Sequence, residues 1–170
     1  MTKRWIVLIA AGLLFFSCGV KNPLTGNKAN YRFCDLANNL CIQYPRAILP
    51  PPEEGQDADD LILSLYSEEY DIKLLLSADK NAEQLTFEQI YKKQLELWKG
   101  TYDDVDEEAS QIGDHAYELS ARADDYYLYA KTIDLNKNGT FVTLRLVGGP
   151  ELTPVFFADL KEKILLFPNK

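Results

Sequence analysis

Apolar and polar residues alternate with two different periods along this chain, and the period changes mark its elements. An unbroken apolar run, Trp5 to Phe16, follows Lys3-Arg4 and ends at the small residue Ser17. From Tyr31 to Tyr44 the pattern predicts a hairpin that stops at Pro45. Leu61, Leu63 and Leu65 alternate on one strand face, as do Ile72, Leu74 and Leu76 on the next, with Ser67-Glu68-Glu69 between them. These four segments predict two hairpins, joined by the stiff connection Pro50-Pro51-Pro52-Glu53-Glu54-Gly55.

A helical period takes over at Thr86. Thr86-x-x-Gln89 is a capping box, and Phe87, Ile90, Tyr91, Gln94, Leu97 and Trp98 fall on one stripe until Gly100. Asp103 to Glu108 reads as an acidic loop. Alternation returns from His115 through Tyr117, Leu119, Ala121 and Ala123. Tyr126 to Leu135 and Thr140 to Val147 then form a third hairpin around Asn138-Gly139, with Val142, Leu144 and Leu146 inward. Thr153 caps a last helix that begins at Pro154, and Phe157, Leu160, Ile164 and Phe167 repeat at helical spacing.

Strands joined largely by hairpins and followed by helices predict an α+β fold: an antiparallel β-sheet built from hairpins and covered by two main α-helices. This order, with the early strand Cys41-Ile42-Gln43-Tyr44-Pro45 ending in proline, resembles the PsbP-like and DcrB-like lipoprotein folds from Tyr31 to Phe167. Those families act mostly as assembly or stability factors. The resemblance therefore implies a binding role and carries over no functional residue.

The apolar run at the start has the build of a secretory signal: a basic start, a short apolar core, then a small residue. It breaks into Gly19, Lys21, Asn22 and Pro23 before reaching the roughly 20 residues of a spanning helix. Leu14-Phe15-Phe16-Ser17-Cys18 resembles the lipobox of bacterial lipoproteins, with Phe15 where that family usually has Leu. The resemblance implies cleavage before Cys18 and lipidation of its thiol. The expected organisation is a signal peptide at 1–17, a flexible tether at 18–29 and one globular domain at 30–170. Two or three acyl chains would hold such a protein on a bilayer, each buried CH₂ contributing about 0.8 kcal/mol. The lipoprotein resemblance implies a lipid-anchored location on the inner or outer membrane, facing the periplasm because the acidic cluster that marks surface export in some Bacteroidetes-type lipoproteins does not follow Cys18.

Charge narrows the partners. The first 17 residues hold two of the 18 basic residues and none of the 26 acidic ones, so the remaining chain carries a net charge of −10. Nucleic acid is excluded, because phosphate binding relies on a basic face. Adhesion to anionic headgroups is excluded on the same ground, which leaves acyl chains on Cys18 as the membrane contact.

Of three cysteines, lipidation of Cys18 leaves Cys34 and Cys41 as an even pair in an oxidising compartment. A turn centred on Ala37-Asn38 would set them opposite one another, so a disulfide worth about 2–3 kcal/mol is expected. A metal pair has neither a CxxC spacing nor further Cys or His ligands to support it.

The remaining chemistry is sparse. Asp134-x-Asn136-x-Asn138-Gly139 matches the first half of a calcium loop, but Arg145 stands where a bidentate Glu belongs, so an Asn-Gly turn is the simpler reading. The carboxylates Asp103, Asp104, Asp106, Glu107 and Glu108 read as a solvated run. His115 is the single histidine, and no serine context supplies it with a nucleophile. No Gly-rich phosphate loop, HExxH or GxSxG occurs. No catalytic residue, metal or cofactor is expected.

Tyr126, Tyr127 and Tyr129, with Tyr66 and Tyr70 elsewhere, are the candidate interface. Tyr127 and Tyr129 share one strand face and Tyr126 the other. Tyrosines are enriched at protein interfaces, and they also cover sheets beneath helices; both readings stand at this level. The functional expectation is a non-enzymatic envelope lipoprotein that binds another protein as an accessory or assembly factor. The alternatives are an immunity lipoprotein that neutralises a toxin, and a small envelope hydrolase using His115 or the acidic loop.

Overall fold

The computed structural model describes residues 24, 30–52, 61–107, 111–113, 115–135 and 139–169. The expected signal peptide at 1–17, Cys18 and, apart from Leu24, the tether at 18–29 lie outside the described residues, as do Glu108, Asn136 and Asn138.

β1 (Asn30–Asp35) and β2 (Leu40–Pro45) form the first hairpin, in the register that sets Cys34 opposite Cys41. Its turn is built by Asp35, whose carboxylate accepts the Ala37 amide and the Asn38 side-chain amide, while Asn39 takes the left-handed conformation at φ 51°. Cys34 and Cys41 are bonded as a disulfide. β3 (Leu61–Ser67) and β4 (Ile72–Lys80) form the second hairpin. After α1 (Phe87–Thr101) come the two-residue strands β5 (Asp104–Val105) and β6 (Gln111–Ile112). β7 (Ala116–Ala123), β8 (Tyr126–Asp134) and β9 (Thr140–Gly148) follow, then α2 (Pro154–Lys163) and β10 (Leu165–Pro168).

The α+β class and the antiparallel hairpin plan are as expected, but the strands divide between two sheets. One has the order β1-β2-β10; the other runs β3-β4-β9-β8-β7-β5, with β6 also paired to β7. The core lies between them. Leu40, Ile42 and Tyr44 of the small sheet, with Phe157 and Leu160 of α2, join one cluster with Ile72, Leu74, Leu76, Val142, Leu144 and Leu146 of the large sheet. Those last six are the side chains whose alternation the sequence displays.

α1 lies on the opposite face of the large sheet. Both halves of its capping box are made, Thr86 accepting the Gln89 amide and Gln89 accepting that of Thr86. Phe87 packs on Tyr117 and Phe141, and Tyr91 on Tyr117. The stripe is shallower than its spacing suggests: no residue of α1 is buried, and Leu97 is 58% exposed.

Two further differences have plain causes. The last helix ends at Lys163, and the apolar spacing continues through Ile164 into β10, which pairs along β2 with Leu166 opposite Ile42. Pro168 biases Phe167 toward extended backbone, and the open edge of β2 supplies the partners. The acidic run is not wholly a loop either: Asp104 and Val105 join the sheet edge, facing Arg122 and Ala121 of β7. Cross-strand opposite charges favour that pairing.

Candidate functional site

A cleft of about 500 Å³ lies where β5, β7 and β8 meet α2. That volume falls within the range of small-ligand and side-chain pockets. Its apolar wall is Tyr127, Phe157, Pro154 and Ala158; Arg122, Lys161, Asp104, Asp106 and Glu107 form the rim.

Each wall follows from local structure. Thr153 caps α2, its hydroxyl accepting the Phe156 amide, and Pro154 occupies the first turn where no donor is needed. This start places Phe157 against Tyr127, with ring centroids 5.3 Å apart and an interplanar angle of 26°. The Arg122 guanidinium lies 5.0 Å from the centroid of the Tyr127 ring, a cation–π contact that holds both side chains at the cleft. One turn along α2, the Lys161 ammonium lies 5.0 Å from the Tyr129 ring. Lys99 of α1 pairs with Glu107 at 3.1 Å, and the Asp106 amide donates to the Ser120 carbonyl. The acidic segment is thereby fastened from two sides and kept beside the aromatic wall.

The structure separates the three strand tyrosines. Tyr127 lines the cleft and is half-buried. Tyr129, on the same face, is buried under α2 and bonded to Glu118, which also pairs with Lys131 at 2.7 Å. Burial, then the Glu118 carboxylate, push the Tyr129 hydroxyl far above the ordinary tyrosine range. Tyr129 therefore works as a covering residue of the sheet. Tyr126 is on the α1 face, 43% exposed, close enough to Tyr66 for their hydroxyls to influence one another. Tyr66 itself donates to Asp71 at 3.1 Å, and Tyr70 stacks on Phe156.

Other candidates fall apart in space. His115 is exposed just ahead of β7, where its carbonyl accepts the Asp134 amide. Asp134 ends β8, and Gly139 has φ 77°, as a turn into β9 requires. Among the described residues no three His, Cys, Asp or Glu side chains form a metal-holding group, and no helix is long and apolar enough to cross a membrane. Sequence reasoning missed Arg122, Lys161 and Pro154 as parts of the cleft. Only the β5–β7 register and the docking of α2 bring them to Tyr127; the spacing of Phe157 and Lys161 along one helix face was the sole legible hint.

Two sheets around one core, with α2 closing the cleft and α1 across the outer face, define an α+β fold. The solution structure of cyanobacterial PsbP (CyanoP) from Synechocystis sp. PCC 6803 matches it with a TM-score of 0.51 at 13% sequence identity, covering 90% of this chain and 99% of that one. The likeness is one of fold. No family model matches this chain, and no curated protein matches it in sequence.

Proposed function

We propose that this chain is a bacterial envelope lipoprotein, anchored through acyl chains on Cys18 and facing the periplasm, that binds another envelope protein as a non-enzymatic accessory or assembly factor. The observation that carries the binding role is the cleft where Tyr127 and Phe157 stand beside Asp104, Asp106 and Glu107. An apolar wall next to a rim that carries both charges suits an inserted segment that presents an apolar side chain flanked by charged groups. Tyrosine at the centre of a pocket with charge at its edge is the composition of a protein-binding hot spot. The likeness of fold to cyanobacterial PsbP supports the same reading, and the signal-like start with Cys18 supports the anchor.

The net charge of −10 also favours a second reading, immunity toward a basic toxin. A photo-crosslinker at Ala158, beside the cleft, separates the two by the partner it joins. One envelope protein captured by the parent chain and lost on Tyr127→Ala supports the accessory reading, and a secreted toxin supports immunity. Recovery of no specific partner, together with hydrolytic turnover abolished by His115→Ala, overturns both.

A further inference from the structure

Beneath α1, on the face of the large sheet away from α2, is a second cavity of about 310 Å³. Its composition is unusual for the space between a helix and a sheet. Such layers ordinarily meet through apolar side chains, because a buried polar group needs a partner. Here the floor sets a row of hydroxyls among Leu119, Ala130 and Phe141. Thr132 and Thr143, both buried, are joined at 3.0 Å between their Oγ1 atoms, and the buried Tyr117 hydroxyl is bonded to Thr132. The register explains the row: Tyr117 is opposite Thr132, and Thr132 opposite Thr143, on three adjacent strands.

Charged and aromatic groups surround that floor. Asp79 and Arg145 line the cavity and both lie close enough to act on the Tyr117 hydroxyl. Neither takes part in the four ion pairs found among the described residues. Gln94 and Trp98 form the roof, and Trp98 is steadied by an edge contact to Tyr102 at 5.1 Å. The roof belongs to a helix with no buried residue, so it covers the cavity without filling it.

We propose that this cavity binds a small neutral carbohydrate of one or two rings. Sugar hydroxyls donate and accept at once, which matches a floor of Thr and Tyr hydroxyls, an accepting carboxylate, a donating guanidinium and an amide that does both. The opposite charges of Asp79 and Arg145 sum to zero over the cavity lining, which suits a ligand without net charge. Trp98 supplies the apolar plate against which the C–H face of a pyranose lies. This site is separate from the Tyr127 cleft and stands whether or not a protein occupies that cleft.

The test uses the full chain carrying Trp5→Phe, so that Trp98 is its one tryptophan. It is kept in a zwitterionic detergent free of sugar headgroups and titrated with glucose, N-acetylglucosamine and the β-1,4-linked disaccharide of the latter, with glycine as the zwitterionic control. At least one sugar is expected to shift Trp98 emission saturably, at a dissociation constant of about 1 mM or tighter. Arg145→Gln and Asp79→Asn, each checked for an unchanged melting curve, are expected to weaken that response about tenfold or more, as loss of a charge-assisted hydrogen bond does. No saturable response to any of the three sugars overturns the proposal. So does a response that survives in both variants, or one given by glycine alone.

Discussion

Tyr44, Tyr117 and Tyr129 show how much a residue's behaviour depends on the face it occupies. Burial is the leading cause that pushes all three hydroxyls upward, with Tyr31 adding to it at Tyr44 and Glu118 at Tyr129. Their folded-state affinity for the proton exceeds that of the unfolded chain, where tyrosine titrates near about 10. The stability they contribute is thus fully present below that pH and is lost as pH climbs above it toward their folded values. In a titration followed at 295 nm, Tyr44 and Tyr129 should ionise only in a cooperative step that coincides with unfolding; ten tyrosines titrating together near pH 10 would contradict this. Gly148 gives a second prediction of the same scale. A Cβ there would sit 2.7 Å from Leu152 Cδ1 and from Phe157 Cδ2, so Gly148→Ala must displace those two side chains. A loss of about 1–3 kcal/mol, read from the urea midpoint, is the expected cost of such overpacking.

The two helices differ in kind. α2 buries Phe157 and Leu160 in the core, whereas α1 rests on aromatic contacts near its first turn and a capping box. Thr86→Ala should therefore cost about 1 kcal/mol, the usual worth of such a cap. Its amide-exchange signature is specific: faster exchange through α1, with the amides of β4, β8 and β9 unchanged. Equal acceleration in those strands would show that α1 is part of the cooperative core. The capping box and Thr153-Pro154 were legible because each is a local device, complete within four residues. The end of the last helix was not. Ile164 and Phe167 keep a helical spacing, and only the free edge of β2 converts that stretch into β10.

At the scale of the molecule, the two sheets enclose one core, and the disulfide closes the hairpin at its N-terminal end. Asn169 reaches back to this hairpin, its amide donating to the Asn39 carbonyl, so the C-terminal end of the described domain is tied to the β1–β2 turn. A thiol count on unreduced, lipidated protein should find none free; two titratable thiols would contradict the Cys34–Cys41 bond. Cys18→Ser should abolish acylation and leave the precursor either uncleaved or released from the membrane. Unchanged processing and partitioning would refute the proposed anchor.

What the sequence determined alone is whatever rests on short-range physics. The hairpin alternation, the caps and the Cys34–Cys41 register across a four-residue turn each lie within a few residues to a few turns of chain. The α+β class follows from their order. Tertiary structure decided which edges meet. It divided the strands into two sheets, turned the chain end into a strand, buried Tyr129 while leaving Tyr127 at a cleft, and drew Asp104 to Arg122. It also aligned Tyr117, Thr132 and Thr143 under α1. Pairing between distant strands depends on the complementarity of whole faces, and no local window of residues contains that information.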